Sequence, residues 1–262
     1  MKRARDLLID VTRTNPTSAW PLYLLARAQR QTGDLDGAEH SARRLLALSP
    51  TSVSGAHALA QVLAQRRDFP GVIAALAPVV DRLPAGRDAD RALLLTHLGF
   101  AYLETNRLPE SVAAFERALA LDPGDRAVPV YLGQALNTSK QFDKALVLAR
   151  DLRTANPNDV RLARVEADAL RGQGKVDEGA AVLKAFADGP SAPVEAVQAL
   201  GEFYASARRY AEAADLLKRA ALAHPDDVGV LFQYAAMLER QKITAEAERV
   251  FRQVLAKDPD HA

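Results

Sequence analysis

The sequence predicts an all-α chain built as an α-solenoid of stacked antiparallel helix pairs, and three observations carry the prediction. Prolines recur at 34-residue spacing, from Pro16 to Pro50, Pro50 to Pro84, Pro123 to Pro157 and Pro225 to Pro259. Small residues recur at two fixed places in the same frame. Ala and Leu dominate while aromatic residues make up only 6%, a bias toward helices and away from β-sandwiches.

Each proline closes a helix-stopping phrase (TNP, LSP, RLP, LDP, NP, AHP, KDP). Proline cannot continue a helix and pushes its predecessor out of the αR region, so each marks the end of one hairpin and the entry to the next. Aligned on the prolines, the chain divides into units 19–52, 53–91, 92–125, 126–159, 160–193, 194–227 and 228–262, preceded by a half-unit at 1–18. The eighth position of each unit reads Ala26, Ala60, Gly99, Gly133, Ala167, Gly201 and Ala235. The twentieth reads Ala38, Val72, Ser111, Ala145, Gly179, Ala213 and Ala247. Small residues there let the two helices of a pair approach closely. Larger apolar residues fall at helical spacing around them: Leu25, Leu59, Leu98, Leu132 and Leu200 in the first helices, Leu76, Phe115, Leu183, Leu217 and Phe251 in the second. Phrases such as QTGDLDGA, ETNRLPES and GQGKVDEG supply the turns between.

With these motifs in phase over seven units, the chain resembles a tetratricopeptide repeat protein along essentially its whole length. AYLETNRLPESVAAFERALALDP and YAEAADLLKRAALAHPDD are the best single matches. The resemblance implies a right-handed superhelix, first helices lining a concave groove and second helices outside. Departures are local. Five extra residues precede the third unit, within AGRDADR, and Pro129 takes an apolar position in the first turn of the fourth. The fifth unit has Glu166 in place of Leu, Gly179 at the tight position and GPSAP at its end, which marks it as degenerate and as the expected loosest joint. Residues 4–16 align with a second helix lacking its first, and neither end carries a polar cap. The expectation is therefore an excerpt of a longer array, with self-association through uncapped ends as one consequence. Only eight of the 34 basic residues are Lys, which with the Ala and Leu richness suggests a GC-rich bacterial source.

Composition excludes much else. Net charge is +1, so no global field points to nucleic acid or membrane, and the 34-residue period argues against a base-reading helical repeat. The chain has no cysteine, hence no thiolate chemistry. No apolar run reaches the ~18 residues of a membrane helix, and the N-terminus lacks a signal-peptide core. Compartment stays open between cytoplasm and periplasm or envelope. No zincin, hydrolase-elbow or phosphate-loop motif occurs; Gly172-Gln-Gly174-Lys175 reads as a turn. His57 and His97 fall at neighbouring positions of adjacent units without further ligands, and read as solvated groove histidines. Asp34, Asp36, Glu110, Asp143, Asp177, Glu178 and Glu212 sit where they cap helices or complement dipoles. We expect no enzyme, no cofactor and no metal.

Function then falls on the groove, written at unit positions 2, 5, 9 and 12. The candidate partner-binding residues are Trp20, Tyr23, Arg27, Arg30, His57, Gln61, Phe100, Gln134, Arg161, Arg164 and Phe232. They run from an aromatic, basic zone through an apolar centre to an end that turns from basic to acidic. Two groove codes of the family are missing: the Lys/Asn clamp for chaperone tails and the Asn ladder of sugar-transferase arms. Trp20, Tyr23, Arg27 and Arg30 suit an extended or helical segment with acidic and apolar residues, while the competing reading packs Trp20 on an absent helix. Arg161, Arg164 and Arg171 read either as a second anionic contact or as a solvated face. The expectation is a non-catalytic scaffold or adaptor for a protein or peptide partner. The rival is a repeat arm of a larger enzyme such as a glycosyltransferase, or of an envelope or polysaccharide-export assembly.

Overall fold

The computed structural model describes residues 2–188 and 192–259. Among them it holds fifteen α-helices and no strand, the all-α solenoid class. The chain divides into two compact units, Met1–Ala135 and Leu136–Ala262. The first contains α1 (Lys2–Thr14), α2 (Ala19–Gln31), α3 (Leu35–Leu48), α4 (Val53–Gln65), α5 (Phe69–Arg82), α6 (Asp88–Glu104) and α7 (Leu108–Leu121). After α8 (Val128–Thr138), which runs across the boundary, the second contains α9 (Phe142–Ala155), α10 (Val160–Gly172), α11 (Val176–Ala187), α12 (Val194–Ser206), α13 (Tyr210–Ala223), α14 (Val228–Arg240) and α15 (Thr244–Lys257). Within each unit consecutive helices pack on one another, α1 through α7 in the first and α9 through α15 in the second. Alternate ones also touch: α2 on α4 and α4 on α6 in the first unit, α10 on α12 and α12 on α14 in the second. The first helices of successive pairs thus share one face.

Local chemistry starts and stops these helices. Asp34, Ser52, Asp68, Asp159 and Asp227 accept bonds from the backbone N–H of Gly37, Gly55, Gly71, Arg161 and Val230, capping α3, α4, α5, α10 and α14. Each such cap contributes about 1 kcal/mol. Four helices without a side-chain cap carry acids in the first turn, Glu110 on α7, Asp143 on α9, Asp177 and Glu178 on α11 and Glu212 on α13, where they oppose the positive end of the dipole.

The turn within each pair follows one rule. Gly33, Arg67, Asn106, Lys140, Gly174, Arg208 and Lys242, the fifteenth residues of their units, all have positive φ. The next residue's N–H then reaches back to the carbonyl of position 11, as in Asp34 to Gln29 and Arg107 to Tyr102, both closing the helix end. Five of the seven are not glycine, so each bears the modest steric cost of a left-handed L-residue.

The tight positions behave as close-approach sites. A Cβ on Gly99 would lie 2.6 Å from the Phe115 ring, and one on Gly179 would lie 2.8 Å from the Ala167 carbonyl oxygen. Around them Leu22, Leu45, Leu59, Leu76, Leu94 and Phe115 are fully buried in the first unit, and Leu183, Leu200, Phe203 and Leu217 in the second. Side chains of this size stabilise by roughly 1.5–3 kcal/mol each when buried. Gln29, at a position that is Leu or Tyr elsewhere, is buried with Ser41, their side chains 2.7 Å apart, so its amide is satisfied across the α2–α3 pair.

Two departures gain a physical explanation. The extra residues before the third unit are partly wound into α6, which begins at Asp88 with Asp88 and Asp90 in its first turn. Glu166 is buried, yet Arg150 lies 2.8 Å from it and Arg153 also pairs with it. Arg153 stacks over the Phe186 ring at 5.5 Å. A carboxylate thus replaces Leu by gathering two guanidinium groups from α9 and linking α9, α10 and α11. Residues 189–191 of GPSAP, together with Met1 and His261, lie outside the described residues.

Candidate partner-binding faces

In the first unit, α2 presents Trp20, Tyr23, Arg27 and Arg30, three or four residues apart as one helical face requires. Trp20 is 66% exposed. Its ring leans on Tyr23 at 5.6 Å, so it is carried by its own helix and stands out from the α2 surface rather than sinking into the core. Among the described residues neither Arg27 nor Arg30 has an ion pair. Neither α2 nor α4 contains a carboxylate.

Next to them, α4 and α6 bring His57 and His97 together, ring centroids 4.8 Å apart and tilted by 37°. The expected solvated histidines are instead half-buried, because consecutive first helices pack closely at small residues. Burial lowers both imidazoles; Arg30 lowers His57 further, and His57 helps bring His97 down to about 4. Both rings are therefore neutral near pH 7. The Gln61 amide nitrogen lies 3.0 Å from His57 Nε2; with the amide donating, the ring proton sits on Nδ1. Phe100, further along α6, packs edge-on against Phe115 at 5.3 Å and Tyr131 at 4.3 Å, which leaves it only half-exposed. Leu93 is exposed beside it, and Gln134 is exposed on α8.

The second unit distributes charge differently. Arg161 is held by Asp159 at 2.8 Å, Arg171 by Asp168 at 3.2 Å, and Arg164 by Glu202 of α12 at 2.7 Å. Gln233 of α14 donates to the same Glu202 at 3.1 Å. The result is a polar ladder across α10, α12 and α14. Phe232 is 39% exposed and packs on Phe251 at 5.8 Å. Groove spacing puts Arg161, Arg164, Glu202 and Phe232 on one face, but the ion pair between Arg164 and Glu202 is visible only in the structure. His97, at the position neighbouring His57, joins the face through the ring contact.

Among the described residues no group of three or more metal-binding side chains occurs, and no helix is long and apolar enough to cross a membrane. A cavity of about 500 Å³ opens between α13 and α15, lined by Leu222, Leu231, Tyr234 and Val250 among others.

Tetratricopeptide repeat models match residues 57–126, 102–169, 194–237 and 230–261. The tetratricopeptide repeat domain-containing protein PYG7 of Arabidopsis thaliana chloroplasts is 29% identical over 126 residues, 48% of this chain and 41% of that protein. A TPR repeat-containing protein of Pseudomonas aeruginosa is 28% identical over 162 residues, 61% of this chain and 27% of that one. The chain thus spans less than half the length of either curated relative. Among solved structures, a tetratricopeptide repeat protein of Parabacteroides merdae superposes with a TM-score of 0.65 at 16% identity, covering 89% of this chain and 91% of that one. YrrB, described as a TPR protein with an unusual peptide-binding site, gives 0.55 at 12% identity, covering 75% and 91%. At these identities the likeness concerns the fold alone.

Proposed function

We propose that this chain, which belongs to the tetratricopeptide repeat family, is a non-catalytic scaffold that holds a partner protein or peptide along its first helices, chiefly on α2, α4 and α6. The observation that carries this reading is the pairing of Trp20, 66% exposed, with two arginines that have no ion pair among the described residues. An exposed tryptophan and free guanidinium groups are the side chains that anchor interfaces, because each contributes large contact area or directional bonds on burial. YrrB, of the same fold, has a peptide-binding site, which supports a peptide-holding use of such a face.

The test is affinity capture with the full chain. Tyr23→Ala combined with Arg27→Ala should weaken the captured partner about tenfold or more, as hot-spot truncations do. Arg43→Ala, on α3 where Arg43 pairs with Glu39, should change little. Equal losses in the two variants would defeat the assignment. A second reading, an arm within a larger enzyme or envelope assembly, is favoured by the greater length of the curated relatives. A catalytic or export domain in the complete reading frame would sustain it.

A further inference from the structure

We infer that Arg30, His57 and His97 form an anion subsite on the α2–α4–α6 face, which takes a carboxylate of an acidic partner segment and gains a proton in doing so. The inference rests on the face being the partner-binding surface, and it adds the chemistry of what is bound and its response to pH.

The geometry is a cluster of potential cations without counter-charge. The imidazoles are 4.8 Å apart on adjacent helices, Gln61 reaches His57, and Arg30 is near enough to act on His57 electrostatically. Position 9 of the units, which supplies Asp168 and Glu202 in the second unit, is Arg27, Gln61 and Phe100 in the first. Among the described residues no carboxylate pairs with Arg30, His57 or His97. Charged residues on the packed helices are Arg27 and Arg30 on α2, Asp36, Glu39, Arg43 and Arg44 on α3, and Asp81 and Arg82 on α5. Asp88, Asp90, Arg91 and Glu104 lie at the ends of α6, and Glu110, Glu116 and Arg117 on α7; α1, packed on α2, carries Arg3, Arg5, Asp6, Asp10 and Arg13, and His40, Tyr23, Tyr102 and Tyr131 are the other titratable side chains. The charges that bear on the pair are Arg30 on His57 and His57 on His97.

A cation half-removed from water beside another cation is held neutral. A carboxylate docked against Arg30 reverses the sign of the local field, so an imidazole that was neutral takes up a proton and becomes a second charged donor. Since the complex binds more protons than the free chain, affinity rises as pH falls below about 7, by linkage. The mutual repulsion of the rings limits the uptake to one proton shared by the pair.

The probes are two labelled synthetic octapeptides, one alternating Glu and Phe and one alternating Gln and Phe. Their binding to the full chain is measured at pH 7.5 and 5.5 and fixed ionic strength. The Glu peptide should tighten about fivefold or more at pH 5.5, below the tenfold per pH unit that one linked proton allows, while the Gln peptide binds weakly at both. His57→Gln with His97→Gln should remove the pH dependence. Gln61→Glu should weaken the Glu peptide about tenfold, by supplying the counter-charge internally. Should the double variant not fold, Arg30→Gln replaces it, with a loss confined to the Glu peptide. A Glu-peptide affinity that is flat with pH, or pH dependence surviving in the double variant, overturns the inference. Equal binding of both peptides, weakened in each by Tyr23→Ala, removes the anion subsite and leaves the partner-binding face standing. Binding of neither peptide at either pH removes both.

Discussion

On the face formed by α2, α4 and α6, Arg27 and Arg30 have no ion pair among the described residues; on the face formed by α10, α12 and α14, Arg161, Arg164 and Arg171 each meet a carboxylate. Both faces are built from the same positions of the same repeat. The first face leaves Arg27 and Arg30 available and places an exposed tryptophan next to them. The second neutralises its cations within the fold and extends the habit to its interior, where Glu166 stands at the position held by Leu25, Leu59 and Leu98 in the first. A repeat scaffold thus allots recognition and cohesion to different units by moving one or two carboxylates.

The largest expected effect tests the interior half of that contrast. Arg150→Met combined with Arg153→Met leaves Glu166 buried without a counter-charge and should cost about 3 kcal/mol, read by urea denaturation. Glu166→Leu, which restores the residue used in the first unit, should be neutral or stabilising by about 1 kcal/mol. A loss on Glu166→Leu as large as that of the arginine pair would mean that the carboxylate is essential to cohesion rather than merely compensated.

Acid stability tests the first unit. His97 titrates at about 4 in the fold, against 6.5 for the free side chain, and His57 is lowered too. Below pH 6.5 the unfolded chain takes up protons that the folded chain refuses. The contribution of these rings is therefore fully present above pH 6.5 and declines as pH falls toward 4, by roughly 2–3 kcal/mol. Thermal melts between pH 7 and pH 4 should show the decline, and His57→Gln with His97→Gln should make it shallower. An unchanged slope would place the acid sensitivity elsewhere.

The smallest effect is the most direct conversion. Glu202→Gln leaves Arg164, whose side chain is 45% exposed beside a 43% exposed partner, with only the longer contact to Asp168 at 4.0 Å, so stability should change by less than about 1 kcal/mol. The loosened arginine should nevertheless let the second unit weakly bind the Glu-containing peptide, raising the stoichiometry found by calorimetry. No new binding would show that free guanidinium groups alone do not make such a face, and that Trp20 and the histidine pair are needed.

Much of this was legible in the residues themselves. The small side chains at Gly99 and Gly179 announced close helix approach, and Ala19, Val53, Val160, Val194 and Val228 begin helices. The spacing of Trp20, Tyr23, Arg27 and Arg30 put them on one helical face, because helix periodicity is a local property. The partition of charge was harder to read: Arg164 and Glu202 lie 38 positions apart in the numbering, and nothing local signals that they meet.

The sequence by itself determined the helix-pair repeat, through prolines that cannot continue a helix and small residues in fixed phase. Only the tertiary structure decided what the non-local groups do. It placed Arg67, Asn106, Lys140, Arg208 and Lys242 in left-handed turns without the glycines that would have advertised them, since packing of the flanking helices outweighs a modest backbone cost. It drew His57 and His97 to within 4.8 Å and surrounded Glu166 with two guanidinium groups. Pairings of this kind depend on how one helix seats against another, and that is set by the summed burial of many side chains rather than by any short stretch of chain.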